Sequence, residues 1–348
     1  MCSTLFRIPL EVAVGPWILP VFGWGLLLAA WALVGGVALV RALRRQGVGA
    51  ALGSLGPSLA LVGAVILWIA PALAEEGGVP VRGYGVMLLV AAAAGTWLSV
   101  RRGRAVGFDA DTILGLGLWI FLAGLVGARL FFVIEYHDEF FRPGEPLATS
   151  LARVAFVPNG GLVVFGALPT AALAAWWYAR THGLPLLRLA DVIAPGLLVG
   201  LAIGRVGCFL NGCCYGGPTD LPWGVSFPPG SAPAGAFPAA TGSSVALHPA
   251  QLYAAFDAGL LAVVALAFTP CVRRVGAVFA LVLTLHPLSR ILLEIIRVDE
   301  PPALGTPLSI SQLVSLVLLG LAAVLWWWVL RGSPAARGFD GEPHPTPH

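Results

Sequence analysis

Charged residues are scarce in this 348-residue sequence: they make up 11% of it, and lysine is absent. Hydrophobic residues make up 58%, and the mean hydropathy is +0.89. A soluble domain of this length does not need so much apolar surface. Several apolar runs also exceed about 18 residues, the length that indicates a transmembrane helix. The composition therefore excludes a soluble protein and predicts a polytopic helical membrane protein.

The basic residues are 20 arginines, and the formal net charge is +3. They stand in short clusters between the apolar runs, which is not the pattern of a nucleic-acid-binding surface, so we expect no nucleic-acid partner. GC-rich codon usage explains the absence of lysine at least as well as function does. The five cysteines likewise do not indicate a disulfide framework.

The apolar runs predict an all-α bundle of about nine transmembrane helices. The predicted spans are residues 17–40, 51–73, 84–100, 112–135, 160–178, 189–203, 248–268, 275–296 and 308–330. A Pro- and Gly-rich loop, 216–247, separates the sixth span from the seventh. It contains too few large residues for a core of its own, so we expect a partly mobile cap. The tail, 332–348, is expected to be disordered.

The arginine clusters predict the orientation, because cytoplasmic loops of membrane proteins are enriched in arginine and lysine. With the N-terminus outside and the C-terminus in the cytoplasm, all five clusters fall on the cytoplasmic side. They are residues 41–45, 101–104, 180–188, 273–274 and 331–337. The loops on the opposite side carry acidic residues instead. We therefore expect a multi-pass protein of the bacterial inner membrane.

Five arginines lie on or near the predicted outer side, contrary to this rule: Arg82, Arg129, Arg205, Arg290 and Arg297. A guanidinium at the edge of hydrocarbon marks a functional site by default. An anionic ligand would account for the group, since the guanidinium fork matches phosphate oxygens in a bidentate way. The alternative for each arginine is snorkelling to headgroups or pairing with an acidic neighbour. We expect that this alternative does not apply to all five.

The stretch from Gly204 to Gly217 concentrates polar groups directly after the sixth span. It places Arg205 where an apolar helix is predicted to end, and glycines, Asn211 and three cysteines follow. We expect the other polar groups of the outer side to gather around it.

The order of its motifs makes the sequence similar to the prolipoprotein diacylglyceryl transferase family. The signature Gly204-Arg205-x-Gly207-x-Phe209-x-Asn211-Gly212 carries the resemblance. Supporting motifs follow the family's order over about residues 80–331: Arg82-Gly83-Tyr84-Gly85, Gly127-Ala128-Arg129, Gly160-Gly161-Leu162, Ala190-Asp191-x-Ile193-Ala194-Pro195, His248-Pro249-x-Gln251-Leu252-Tyr253, Arg290-x-x-x-Glu294-x-x-Arg297 and Leu308-Ser309-x-x-Gln312. The family's core has seven spans, so the resemblance implies a transferase core at 80–331 and an added transmembrane hairpin at 1–79.

The resemblance implies that the chain moves the diacylglyceryl group of phosphatidylglycerol to the thiol of a lipobox cysteine in a prolipoprotein. A thioether forms and glycerol phosphate leaves, with no cofactor and no metal. The expected partners are phosphatidylglycerol, the prolipoprotein signal peptide with its lipobox, and membrane lipid. The alternatives from other classes are a lipid transporter and a protein that binds phospholipid or lipoprotein precursors without chemistry.

The resemblance also implies roles for individual residues. Arg205 and Arg290 are implied to hold the phosphate, and Tyr84, Asn211 and Gln251 to orient the headgroup and the substrate peptide. The other implied substrate-binding residues are Arg129, Gly161, Gly207, Gly212, His248, Tyr253, Glu294 and Arg297.

One departure from the family's pattern concerns the proton acceptor. Many members have a histidine where this sequence has Phe165. His286, one helical turn before Arg290, is the replacement that we expect for catalysis. Its alternative role is that of a core histidine bonded to a carbonyl. A positive site also binds a thiol as the thiolate without a strong base.

A second departure concerns the cysteines. Cys208 and Cys213 stand where the family usually has asparagine and glutamate, and Cys214 adds a third thiol within seven residues. We favour three small buried thiols that fill space. A bridge from Cys208 to Cys213 or Cys214 is one alternative. A zinc site is another, with His248 as the fourth ligand, although an adjacent cysteine pair is awkward for chelation.

Overall fold

The structure is a computed structural model that describes residues 4–14, 17–22, 24–49, 59–60, 62–69, 71, 74–75, 78–142, 144–155, 161, 163–300, 302–303 and 305–331. The chain divides into two compact units, Met1–Met87 with Leu210–Gly212, and Leu88–Phe209 with Cys213–His348. The predicted second span, 51–73, lies largely outside the described residues. The predicted disordered tail, 332–348, and the motif residues Gly160 and Leu162 lie wholly outside them.

The described chain is mainly helical. Its α-helices are α1 (Leu26–Gln46), α2 (Gly83–Ala105), α3 (Ala110–Glu135), α4 (His137–Phe140), α5 (Leu147–Ala155), α6 (Val164–Thr181), α7 (Leu186–Asn211), α8 (Ala232–Ala236), α9 (Ala250–Phe268), α10 (Ala277–Glu294) and α11 (Ile310–Arg331). A short π-helix at Val65–Ile69 and a 3-10 turn at Thr269–Cys271 complete the helical elements.

Seven of the described helices are long and apolar enough to cross a membrane. They are Leu26–Arg44, Gly83–Ala105, Ala110–Glu135, Leu186–Asn211, Ala250–Cys271, Ala277–Glu294 and Ile310–Arg331. The prediction of a polytopic helical membrane protein is thereby confirmed. The count of nine stays a prediction.

The first unit contains two small antiparallel sheets that the all-α prediction did not include. β1 (Thr4–Ile8) pairs with β4 (Val79–Arg82), and β2 (Glu11–Val14) pairs with β3 (Trp17–Pro20). The predicted start of the first span at residue 17 was therefore wrong, since α1 begins at Leu26. A Cβ atom on Gly25 would lie 1.9 Å from the carbonyl oxygen of Pro20, so the tight turn before α1 requires a glycine there.

Helices of the second unit approach each other closely at glycines. α3 and α6 meet where a Cβ atom on Gly166 would lie 2.2 Å from the carbonyl oxygen of Gly127. α2 and α7 meet where a Cβ atom on Gly95 would lie 2.7 Å from the carbonyl oxygen of Gly196. Small residues permit such contacts, and van der Waals packing holds membrane helices together because lipid is as apolar as their side chains. The second of these contacts positions α7, which carries Arg205.

Asp191, near the start of α7, caps the start of α10. Its carboxylate accepts hydrogen bonds from the backbone N–H groups of Gly276 at 2.6 Å and Phe279 at 2.8 Å. Such N–H groups have no partner within their own helix, so a carboxylate stabilises the helix start. Arg102 of α2 donates to the carbonyl oxygens of Asp191 at 3.3 Å and Val192 at 3.1 Å. α2, α7 and α10 are therefore joined at the end opposite Arg205, which lies about 21 Å further along α7.

The loop 216–247 is folded, which the prediction of a partly mobile cap without a packed interior did not anticipate. Phe227 and Leu247 are both 0% exposed. The buried hydroxyl of Ser244 accepts a hydrogen bond from the backbone N–H of Phe227 at 2.8 Å, and Val225 and Leu247 exchange backbone hydrogen bonds. The ring of Phe227 also contacts Phe209 of α7 edge to face, with ring centroids 6.2 Å apart. The loop therefore uses α7 to complete its interior.

Candidate active site

α7 continues as a helix through the cluster of motif residues. It was predicted to end near residue 203, so Arg205 was expected at a helix end; the helix ends instead at Asn211. Backbone groups in hydrocarbon must bond within the helix, so glycines that would stop a helix in water are tolerated there. Arg205 therefore projects from the penultimate turns of a membrane helix, and Gly207 is buried beside it.

Arg205 is half-buried, and among the described residues its guanidinium has no hydrogen-bond or ion-pair partner. Its charge acts on His286 and on Arg290, both on α10. An unpaired guanidinium in such a place is costly, because the charge loses hydration without gaining a counterion. An anion from outside the chain would supply the missing counterion.

Arg290 is held by side chains of its own helix and of the segment that leads into α11. It pairs with Glu294, one turn further along α10, and with Glu300 at 3.4 Å, and it donates to the hydroxyl of Ser311 at 2.8 Å. The side chain of Arg290 is 13% exposed and that of Glu294 is 4% exposed. These contacts give Arg290 a fixed position, and the charge of Arg205 acts on it there.

Arg297 lies just after α10 and completes an ionic network. It binds Asp299 with two hydrogen bonds of 2.9 Å, and it lies 3.3 Å from Glu300 and 3.7 Å from Glu294. Burial acts to lower the pKa of Arg297, but the hydrogen bonds and charge of Asp299 outweigh it and raise that pKa. Burial acts to raise the pKa of Glu300, but Ser311, Arg297 and Arg290 outweigh it and lower that pKa. Both groups are therefore charged at neutral pH.

The ionic network reduces the number of arginines that need an anionic ligand to account for them. In it Arg290 and Arg297 are paired with three acidic side chains, those of Glu294, Asp299 and Glu300. Pairing with acidic neighbours, the alternative for each arginine, applies to these two. Of Arg205, Arg290 and Arg297, Arg205 is the one that has no acidic partner among the described residues.

His286 faces an acidic group that the sequence prediction missed. The charge of Asp257, on α9, acts on His286, and Ser289 donates to the Asp257 carboxylate at 2.7 Å and to the His286 carbonyl at 3.0 Å. The Nδ1 atom of His286 is buried and has no hydrogen-bond partner among the described residues. Asp257 escaped prediction because it stands alone on an apolar helix, 32 residues before its partner Ser289. An acidic residue within a membrane span was the available signal.

Arg129 directs its guanidinium to protein carbonyl groups. It donates to Arg153 at 2.8 Å, to Val154 at 2.9 Å and to Gly161 at 3.0 Å. Arg153 and Val154 belong to the last turn of α5, whose carbonyl groups lack partners within the helix. Gly161 adopts φ +79°, and a Cβ atom there would lie 2.7 Å from Arg129 Nη1. In this structure Arg129 joins the last turn of α5 to Gly161, and its predicted contact with substrate stays a prediction.

The three motif residues around the start of α9 bind neighbouring parts of the chain. Gln251 is 0% exposed, and its Nε2 atom donates to the carbonyl oxygen of Cys213 at 2.8 Å. The Tyr253 hydroxyl accepts from Trp223 Nε1 at 2.7 Å and lies 3.3 Å from His248 Nδ1. This chain of contacts joins the loop 216–247 to α9. It places His248 and Tyr253 at the border between loop and bundle.

The remaining predicted site residues belong to the first unit. Arg82 pairs with Glu75 at 3.0 Å and is exposed, and Tyr84 lies in the first turn of α2. Asn211 is the last residue of α7, and Gly212, with φ +73°, ends the helix in the left-handed conformation that favours glycine. Pairing with an acidic neighbour therefore applies to Arg82 as well.

A family model described as prolipoprotein diacylglyceryl transferase matches residues 71–328. The chain belongs to this family. The transferase of Rhodopirellula baltica is 39% identical over 247 residues, which are 66% of this chain and 48% of that protein. A Streptomyces coelicolor transferase is 36% identical over 252 residues, 72% and 76% of the two chains. The Gloeobacter violaceus transferase is 33% identical over 265 residues, 76% and 94% of the two chains.

All three relatives are named phosphatidylglycerol–prolipoprotein diacylglyceryl transferases. The predicted membership in the transferase family is thereby confirmed. Phe165 lies in the first turn of α6, so this transferase core has no imidazole at that position. No disulfide joins Cys208, Cys213 and Cys214 in the structure, so the predicted alternative of a bridge between them is not realised there.

Proposed function

We propose that this protein transfers the diacylglyceryl group of phosphatidylglycerol to the lipobox cysteine of prolipoproteins. Family membership and the names of the relatives support this function. The seven apolar helices give it access to a membrane phospholipid and to a signal peptide in the same bilayer. It is a multi-pass protein of the bacterial inner membrane, and the arginine clusters support an outer-facing site with the N-terminus outside and the C-terminus in the cytoplasm.

The observation that carries the proposal is the unpaired guanidinium of Arg205. Attack of sulfur on the glycerol C3 carbon breaks a carbon–oxygen bond and leaves negative charge on the departing phosphate. A cationic donor placed at that phosphate stabilises the charge as it develops, with a typical effect of about 3 kcal/mol. Arg205 has no acidic partner among the described residues, so it is free to bind the phosphate.

Arg290 supports Arg205 as a second donor whose position is set in advance. Glu294 and Glu300 hold it, while the charge of Arg205 acts on it from α7. Preorganised donors cost no reorganisation at the moment of reaction, which is the main reason for their effect. His286 is the candidate proton acceptor, because its buried Nδ1 atom has no hydrogen-bond partner among the described residues.

The other implied residues have supporting roles in the proposal. Gly161, Gly207 and Gly212 permit close backbone approach, and Arg297 and Glu294 belong to the network around Arg290. Tyr84, Arg129, Asn211, His248, Gln251 and Tyr253 are proposed to contact headgroup or peptide, as the family resemblance implies. The segment 1–79 is proposed to be an added transmembrane hairpin, and the family match begins at residue 71.

Complementation tests the proposed function in a cell. A bacterial strain depleted of its own transferase should regain growth and lipid-modified lipoproteins when it expresses this chain. Arg205→Ala should fail at equal expression, whereas Arg180→Ala, which changes an exposed arginine near the end of α6, should succeed. Failure of the wild-type chain, despite correct membrane insertion, would favour a lipid transporter or a protein that only binds lipoprotein precursors.

A further inference from the structure

Three thiols converge at the end of α7. The Sγ atoms of Cys208, Cys213 and Cys214 all lie within 4.8 Å of one another. The backbone shows how: Gly212 adopts φ +73°, and the N–H of Cys213 bonds back to the carbonyl oxygen of Cys208 at 3.2 Å. A bond of this span after a left-handed glycine is the Schellman ending of a helix. It returns Cys213 and Cys214 to the last turns of α7, where Cys208 lies.

The turn after α7 has a strained backbone conformation at Cys214. Cys214 has φ +61°, and it is the only residue other than glycine with positive φ among the described residues. A side chain in this region costs about 1 kcal/mol or more, and such residues are concentrated at functional sites. The fully buried Gln251 fixes the turn through the carbonyl oxygen of Cys213.

The distances suit a metal ion with thiolate ligands. Zinc binds cysteine sulfur at about 2.3 Å, which separates the sulfurs of one ion by about 3.8 to 4.0 Å. Sulfurs already within 4.8 Å need to move by less than about 1 Å. Within the described residues the group has three members, and His248, the predicted fourth ligand, is not among them. Three protein ligands and one open position are the arrangement of catalytic zinc sites.

We propose that Cys208, Cys213 and Cys214 bind a zinc ion whose fourth position takes the thiol of the prolipoprotein cysteine. This role for the ion rests on the proposed function. It departs from the expectation of three space-filling thiols and no metal. The adjacent pair, which had appeared awkward for chelation, is accommodated because the left-handed residue Cys214 turns the chain.

The chemistry of such a site is balanced without an oxidant or a reductant. Zinc binding breaks three S–H bonds, forms three zinc–sulfur bonds and releases three protons to water. The substrate thiol then loses its own proton on coordination, because a thiol bound to zinc is deprotonated, and His286 is the candidate acceptor. The bound sulfur attacks the glycerol C3 carbon, and the bonding electrons of the carbon–oxygen bond leave with glycerol phosphate. The thioether product is a poor zinc ligand and departs.

The position of the thiols fits this role. Cys208 follows Arg205 by three residues on the same helix, a rise of about 4.5 Å along the axis. The zinc-bound sulfur and the phosphate-binding guanidinium would therefore act on neighbouring atoms of one substrate. Many family members have a histidine at the position of Phe165, and Phe165 cannot accept a proton. Zinc would activate the substrate thiol in place of that histidine.

The first experiment measures metal binding by the full-length protein in detergent, without an affinity tag that binds metal. One equivalent of zinc per chain should remain after dialysis against a weak chelator. Cys208→Ser and Cys213→Ser should each weaken zinc binding by more than about 100-fold. Loss of a residue that only supports a metal ligand weakens binding by about 10-fold to 100-fold, so a larger loss indicates a direct ligand. Cys271→Ser, which changes an exposed cysteine, is the matched control and should bind zinc as the wild type does. Wild-type protein that binds copper(I) but no zinc, or that contains a disulfide among these three cysteines, would overturn the proposal.

The second experiment tests the open position on the wild-type chain alone, so that no variant has to fold. Cobalt(II) substitution should give a sulfur-to-cobalt charge-transfer band. A lipobox peptide should intensify that band, whereas the same peptide with serine in place of cysteine should not. An identical spectrum with both peptides would exclude the substrate thiol from the metal. Because this readout needs no phosphatidylglycerol, the proposed transfer and the metal site succeed or fail separately.

Discussion

Replacement of Arg205 by alanine should separate activity from stability. Among the described residues its guanidinium has no carboxylate partner, so Arg205→Ala leaves no buried acid without a counterion. The folded protein loses only the packing of a half-buried stem, for which we expect about 1 kcal/mol or less. The melting temperature in detergent should therefore stay close to that of the wild type.

The activity of the same variant should fall steeply. Loss of one donor to a developing oxyanion costs about 100-fold to 1,000-fold in kcat. Arg290 and Arg297 would remain, but both are already paired with acidic side chains and cannot replace the unpaired guanidinium. We therefore expect kcat/KM to fall by at least about 100-fold.

The assay is the initial rate of lipid transfer to a lipobox peptide in vesicles of known phosphatidylglycerol content, measured with the melting temperature of each variant. Arg180→Ala serves as the control for loss of an arginine elsewhere and should match the wild type in both. A transfer rate of Arg205→Ala within a few-fold of the wild-type rate would refute the phosphate role. A loss of activity that follows a large loss of stability would refute the claim that Arg205 lacks a structural partner.

Three further predictions concern the residues around Arg205. Arg290→Ala should lower both activity and melting temperature, because breaking a buried pair costs about 3 to 5 kcal/mol; a wild-type melting temperature would contradict this. Arg129→Ala should release the end of α5, which would be seen as faster proteolysis near residue 155. Arg129→Lys should not restore protection, because an ammonium group cannot bind three carbonyl groups as the planar guanidinium does. The pKa of Glu300 is lowered from 4.5, so its ion pairs stabilise the protein above that pH, and the stabilisation is lost as the pH falls through the lowered folded-state pKa. Glu300→Gln should therefore lower the melting temperature at pH 7 and flatten its dependence on pH below about 4.5.

The membrane spans were predictable because apolar runs of helical length rarely form anything except transmembrane helices. Six predicted spans, at 84–100, 112–135, 160–178, 248–268, 275–296 and 308–330, correspond within about five residues at each end to α2, α3, α6, α9, α10 and α11. The start of α1 was not predictable from hydropathy, because Trp17–Pro20 is as apolar as a helix but forms a strand. The end of α7 was missed for a different reason: glycines near Arg205 suggest a turn in water but not in lipid.

The individual polar residues of the site were visible in the sequence, but their partners were not. Arg290 and Glu294 are four residues apart on one helix, and that pair follows from spacing. The contact between Asp257 and Ser289 joins two helices, and the contact between Arg290 and Ser311 joins two others. Such contacts depend on helix packing, which short-range patterns do not encode. For this reason the sequence suggested several free arginines where the structure leaves only Arg205 without a partner among the described residues of the site.

The most direct test of the central claim is the mass of the product. Purified protein, phosphatidylglycerol vesicles and a lipobox peptide should give a peptide heavier by one diacylglyceryl group on its cysteine. Glycerol phosphate should appear in equal amount, and a peptide with serine at that position should stay unmodified. An unchanged peptide mass with folded, membrane-inserted wild-type protein would contradict the account.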